Sequence, residues 1–161
     1  MGDAGLRISE ALALDLADLD LEAGLVHVKK GKGGKARTVP LTHAALSALK
    51  RWLGLRPAYA APGEQAVFVN TGGRRAKGHR LQAHTLRRRL SGYYRALGFP
   101  ARYRGAHTLR HLAGTRLYRV TRDLHVTASL LGHANVTTSA IYAKMDLDQL
   151  KEAVQKLEES G

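Results

Sequence analysis

Apolar positions along the chain change their period several times, and the changes mark the elements. The run SEALAL (Ser9 to Leu14) predicts a short helix with Ser9 as its cap, and the acidic stretch Asp15–Asp20 leads out of it. GLVHVKKGKGGKARTVPL then alternates, which predicts strands Leu25–Lys29 and Ala36–Pro40 around a Gly-Lys turn. Thr42 is placed to cap a helix running to about Leu55, with Leu46, Leu49 and Leu53 on one face. Pro57 and Pro62 enclose a loop, and AVFVN (Ala66 to Asn70) reads as a third strand. From Gln82 the chain is mostly helical, with helices near 82–97, 107–119, 123–131, 136–142 and 146–159 divided by Gly, Pro or capping residues. These elements add up to an α+β domain, mostly helical with a small antiparallel three-stranded sheet. At 161 residues the chain is one domain, long enough to bury a core without disulfides or a metal. Leu6 and Ile8 look like core although almost nothing precedes them. The expectation is a fragment or excised domain that lacks a first helix.

Charge changes the picture. Lys and Arg number 26 against 13 Asp and Glu, a formal net charge of +13. The cations gather in glycine-rich stretches, VKKGKGGKAR, NTGGRRAKGHR and PARYRG, each bordered by apolar sequence. Such loops suit phosphate contact, because backbone N–H groups can donate beside the side chains. Nucleic acid is therefore favoured over an anionic membrane surface as partner. The expected DNA contacts are Lys29, Lys30, Lys35, Arg37, Arg74, Arg75, Lys77, Arg80, Arg102 and Arg104. There is no cysteine, which excludes a disulfide framework, a thiolate metal site and a thiol nucleophile. No apolar run approaches a membrane span and the start lacks a signal-peptide core, so the expected location is cytoplasmic.

The tetrapeptide HTLR occurs twice, at His84–Arg87 and at His107–Arg110, and asks whether both copies do chemistry. The second copy continues to His111, and a pair of histidines four apart on a helix would suit zinc. The intervening Glu of a zinc peptidase is missing and no third ligand is evident, so no metal is expected. DLADLD (Asp15, Asp18, Asp20) reads as a solvated helix end rather than a magnesium cluster. Without metal, phosphate chemistry needs fixed guanidinium and imidazole groups, plus a nucleophile drawn from Ser, Thr, Tyr or activated water. A His and an Arg three apart share a helix face and can grip one phosphate together. Only the second copy has partners downstream: a Leu-Leu-Gly-His turn with His133, then Tyr142 nine positions on. The first copy lies in a basic amphipathic helix.

Taken together, GLRISEALAL, KKGKGGKARTVPL, HTLRHLAGT and LLGHANVTTSAIY resemble, in order and spacing, the catalytic domain of the tyrosine recombinases, the family of phage integrases and Xer-type recombinases. The resemblance runs from Gly5 to Tyr142. It implies a metal-independent enzyme without cofactor that cuts and rejoins double-stranded DNA through a 3′-phosphotyrosyl intermediate. By position, Arg7 matches the first catalytic arginine and Lys32 the lysine of the strand-connecting loop. His107 and Arg110 match the His-x-x-Arg pair, His133 the histidine of the Leu-Gly-His turn, and Tyr142 the nucleophile. Glu10 matches an acidic residue that acts as a buttress. The implied roles are phosphate stabilisation by Arg7 and Arg110, protonation of the leaving 5′-oxygen by Lys32, base catalysis by His107 and donation to the phosphate by His133.

Each residue also has a plain alternative. Lys32 or Lys35 could serve only as a backbone contact, with the motif favouring Lys32 as the catalytic one. His133 could be a helix cap, and Tyr142 could be core, as Tyr93, Tyr94 and Tyr118 are expected to be. The tail has Leu147, Leu150, Val154 and Leu157 on one stripe. In the family such a helix often docks on a neighbouring protomer and links a tetramer on DNA, whereas packing on its own domain is the alternative. Two departures stand out. The resemblance implies an amino-terminal DNA-clamping domain, whereas only six residues precede Arg7, so a piece lacking that domain is the expectation; and Gly114 stands where Ala is more usual, at about 1 kcal/mol in a helix interior. The rival functions are a type IB topoisomerase-like DNA relaxase and a non-catalytic DNA-binding module.

Overall fold

A computed structural model describes residues 1–29, 36–72 and 76–132. The first helix, α1 (Ile8–Ala13), starts one residue earlier than expected. Arg7, not Ser9, holds the cap position, because Glu10 in the first turn reaches back and accepts from the Arg7 backbone N–H at 2.8 Å. After a 3₁₀ turn (Leu16–Asp18) come β1 (Leu19–Asp20), β2 (Leu25–Val28) and β3 (Arg37–Pro40), an antiparallel sheet in the order β1-β2-β3. Val26 pairs with Val39 and both are buried, whereas His27 and Thr38 pair on the exposed face. The period of two thus sends Val26, Val28, Arg37 and Val39 inward.

The third strand is not the expected one. AVFVN forms only isolated bridges, Ala66 with Asp15 and Val69 with Arg80. Its backbone groups are taken from both edges and by side chains: the Val67 N–H donates to the Leu14 carbonyl at 2.9 Å, and the Val67 carbonyl accepts from the Trp52 indole at 2.8 Å. The Arg56 Nε donates to the Ala66 carbonyl at 2.8 Å. A buried apolar run reads as strand from sequence, but here it braces the space between α1 and the segment around Leu81.

The helix α2 (His43–Leu55) begins where expected, with the Thr42 hydroxyl accepting from the Ala45 N–H at 3.2 Å. Leu46, Leu49 and Leu53 share one face of it, and Leu49 packs with Trp52 against the sheet. Then follow α3 (Ala83–Ala96), α4 (Ala106–Thr121) and α5 (Leu124–Leu131), each within two residues of expectation. The expected helices at 136–142 and 146–159 lie outside the described residues. Among the described residues no helix is long and apolar enough to cross a membrane.

Helix α1 is central. Ala11, with Leu6 and Leu14 that flank the helix, joins a core with Val26, Val28, Val39 and Val67, while Ile8 and Leu12 join a second core with Leu81 and Ala106. Each large apolar side chain stabilises the fold by about 1.5–3 kcal/mol when fully buried, so a helix of six residues is held by tertiary packing rather than by its own propensity. Tyr94 is buried against Phe99 as expected for a core residue, but Tyr93 is 67% exposed and Tyr118 only partly covered. An apolar cleft of about 390 Å³, lined by Leu6, Leu12, Val26, Leu49, Trp52 and Phe68 among others, contains none of the charged groups described next.

Candidate active site

Glu10 is buried, its side chain 3% exposed, and it gathers three arginines from three elements. Arg7, at the start of α1, donates to Oε1 through Nη1 at 2.8 Å. Arg37, the first residue of β3, takes the carboxylate in a two-pronged grip: Nη1 to Oε1 at 3.0 Å and Nη2 to Oε2 at 2.8 Å. Arg110, one turn into α4, brings Nη1 to 4.0 Å from Oε2. Burial by itself would raise the Glu10 carboxyl, but the hydrogen bonds from Arg37 and Arg7 outweigh it and lower the pKa to about 2.

The same three guanidinium groups close the carboxyl end of α5. Arg37 Nε donates to the Leu130 carbonyl at 3.4 Å, Arg110 Nη2 to the Leu131 carbonyl, and Arg7 Nη2 to the Gly132 carbonyl at 3.4 Å. Arg110 Nη1 also donates to the Gly5 carbonyl, in the turn just before Arg7. The last carbonyls of a helix lack intrahelical partners and carry partial negative charge, so cations are favoured there. Gly132 ends α5 with φ of 61°, a left-handed conformation in which a Cβ would be strained. Three positive charges meet one carboxylate and a helix end of roughly half a charge. The balance stays positive, and an anion is the natural complement.

The resemblance pairs Arg7 with Arg110, and the fold brings the two together around Glu10. Arg7 is the more open, its side chain 21% exposed, and a guanidinium with five N–H donors keeps some beyond those bound here. His107 lies in the first turn of α4, three residues before Arg110, and is exposed. His111 is exposed as well, and among the described residues no three His, Asp or Glu side chains have metal-holding geometry. The buried stripe of α4 is Ala106, Arg110, Ala113 and Gly114. Lys32, His133 and Tyr142 lie outside the described residues, as do Lys30, Lys35, Arg74 and Arg75.

The DNA-contact expectation gives way at two positions. Arg37 is turned inward onto Glu10, with its side chain 14% exposed. Arg80 donates to the Leu12 and Leu14 carbonyls at 2.8 and 3.2 Å and pairs with Asp15, so it closes the carboxyl end of α1. Lys29 remains exposed, although its ammonium meets Asp18 at 2.7 Å. Lys77 is exposed, and so is Arg102, whose guanidinium sits 4.9 Å from the centre of the Tyr103 ring. Arg104 is half-covered, its Nε donating to the Phe99 carbonyl at 2.7 Å. Arg37 is the residue whose role sequence reasoning misses. Its signal lies in the register: in RTVP it shares a face with the core residue Val39, and an inward arginine needs a buried carboxylate.

The described domain is mostly helical with a small sheet, and it brings Arg7 and Arg110 together around Glu10 with His107 one turn upstream of Arg110. The chain belongs to the phage integrase family, whose model matches residues 1–148. Tyrosine recombinase XerC of Pseudomonas aeruginosa (strain LESB58) is 44% identical over 147 residues, covering 91% of this chain and 46% of that protein. XerC of Thermodesulfovibrio yellowstonii is 37% identical over 158 residues, covering 95% of this chain and 50% of that protein. The chain therefore spans about half the length of the curated relatives it matches. Among solved structures, XerA recombinase superposes with a TM-score of 0.79 at 27% identity, covering 96% of this chain and 54% of that one. XerH site-specific recombinase, bound to a palindromic difH substrate in a post-cleavage complex, superposes with 0.77 at 34% identity, covering 98% and 43%.

Proposed function

We propose that residues 1–161 form a single catalytic domain that cuts and rejoins double-stranded DNA through a tyrosine. The Tyr142 oxygen attacks the scissile phosphorus, the bond from phosphorus to the 5′-oxygen breaks, and Lys32 delivers a proton to that oxygen. A phosphodiester replaces a phosphodiester, so rejoining to another 5′-hydroxyl needs no added energy source. Arg7 and Arg110 hold the non-bridging oxygens, where charge develops. His107 accepts the phenol proton, and His133 donates to the phosphate. A phenol of unperturbed pKa near ~10 needs both a positive field and a base. The proposal extends to assembly: the tail after Tyr142 links protomers into a tetramer on DNA.

One observation carries the reading. Arg110 reaches across 105 residues to the Gly5 carbonyl and lies beside the carboxylate that holds Arg7. The family match and the DNA-bound recombinase among the structural neighbours support it. The test is a nicked duplex carrying an inverted-repeat site, from which the cut strand's short end diffuses away. An adduct that survives SDS, is absent in Tyr142→Phe and is indifferent to EDTA is the expected result. Salt-sensitive binding with no adduct at any site would replace the proposal with a non-catalytic binding module.

A further inference from the structure

We propose that Arg37 is a positioning residue of this site, one that holds Arg7 in a phosphate-ready pose by occupying Glu10; the inference rests on the strand-transfer reading above. A buried carboxylate beside two guanidinium groups can be gripped two-pronged by either. Here Arg37 takes that grip, at 3.0 and 2.8 Å. Arg7 is left with a single side-chain bond to Oε1 at 2.8 Å, and its other prong turns to the Gly132 carbonyl at 3.4 Å. If Arg37 were removed, Arg7 would close onto both carboxylate oxygens, the stronger geometry for the pair, and withdraw its donors from the substrate.

Arg37 also reaches the end of α5. Arg37 Nε donates to the Leu130 carbonyl at 3.4 Å, and its guanidinium lies so near Gly132 that a Cβ there would fall 2.7 to 2.9 Å from three of its atoms. Gly132 immediately precedes His133, and β3 begins two residues after Lys35, at the end of the Lys32 stretch. One planar group thus ties the start of α1, the end of α5 and the strand following the lysine loop. Lysine, a single point of positive charge, can satisfy one of these partners but cannot grip the carboxylate with two prongs while also donating to the α5 carbonyl.

The test compares Arg37→Lys with Arg37→Gln in the full chain, alongside wild type. Arg37→Lys keeps a cation beside Glu10 and so guards against simple unfolding, which thermal melting checks. The expected result is at least a tenfold fall in single-turnover adduct formation for both variants, with DNA affinity and its salt slope lowered by no more than in Arg7→Gln, whose phosphate contact is the one at stake. Amide hydrogen exchange should quicken in the first turn of α1 and the last turn of α5. Cleavage at the wild-type rate in Arg37→Lys overturns the proposal. So does a salt slope that falls by about a further one when Arg37→Gln is added to Arg7→Gln, the mark of a phosphate contact made by Arg37 itself. If wild type itself forms no adduct, the strand-transfer reading fails, and the exchange measurement alone then decides whether Arg37 positions these two turns.

Discussion

Glu10 shows at the scale of one residue how charge compensation outweighs burial. Its folded pKa, about 2, lies below the ordinary 4.5, so its ionised form stabilises the folded protein. That contribution is fully present above about pH 4.5 and is lost as pH falls toward 2. Its size is on the order of 3 kcal/mol, from about 1.4 kcal/mol per unit. In Glu10→Gln, stability measured by denaturant unfolding should fall by roughly 3–5 kcal/mol at pH 7, since three guanidinium groups lose their carboxylate. Between pH 5 and 2 the variant's curve should be flatter than wild type, with a remaining slope from Asp18 and Glu64. Burial raises Asp18, but its bond to Lys29 and the backbone donation from Asp15 together outweigh that and lower it; backbone donation from Ala66 lowers Glu64. Curves that run parallel through this window would contradict the ion-pair account. The acidic residue of the first motif is legible as a buttress, yet its partner Arg37 reads from sequence as a DNA contact. Basic side chains in a glycine-rich stretch look alike until one is seen to face inward.

Among the elements, the end of α5 is the most demanding. Gly132 needs a left-handed backbone, at a cost of about 1 kcal/mol for any other residue, and it also faces the Arg37 guanidinium. Gly98, with φ of 73° and no atom within 4 Å of the place a Cβ would occupy, is the matched control without a neighbour. Gly132→Ala should therefore lower the melting temperature more than Gly98→Ala does, by at least a further ~2–4 °C for a chain of this size. Equal shifts would mean that Arg37 gives way freely. The doubled HTLR teaches the complementary lesson. Each copy opens a helix in the same phase, Ala then His, in α3 and in α4. Yet Arg87 is exposed and Arg110 is buried, because α3 turns that face outward while α4 turns it toward Gly5 and the end of α5.

At the scale of the whole molecule the chain carries a net charge of +13, and its basic side chains among the described residues include two populations. Arg37, Arg56, Arg80 and Arg110 are taken up by internal carbonyls and carboxylates, while Lys77, Arg87, Arg88 and Arg102 face solvent. Away from the scissile phosphate, the second population is the one among the described residues placed to release counterions on binding DNA. Measured as log affinity against log salt, Lys77→Gln and Arg102→Gln should each reduce the slope by about one. Arg80→Gln should instead leave the slope alone and lower thermal stability, because the carbonyls ending α1 lose their donor. An unchanged slope in both exposed variants would move the DNA-facing surface elsewhere.

By itself the sequence determined the fold class, the hairpin, the starts of α2 to α5 to within a residue and the order of the motifs. All of these are local: a period of 3.6 or 2, a capping side chain and a left-handed glycine act within a few residues. Tertiary structure alone decided which basic residues are internal, that AVFVN braces rather than pairs, and that Arg37 turns onto Glu10. Burial and charge pairing join positions as remote as Arg7 and Gly132, 125 residues apart, and no local pattern encodes which cation will find a buried carboxylate.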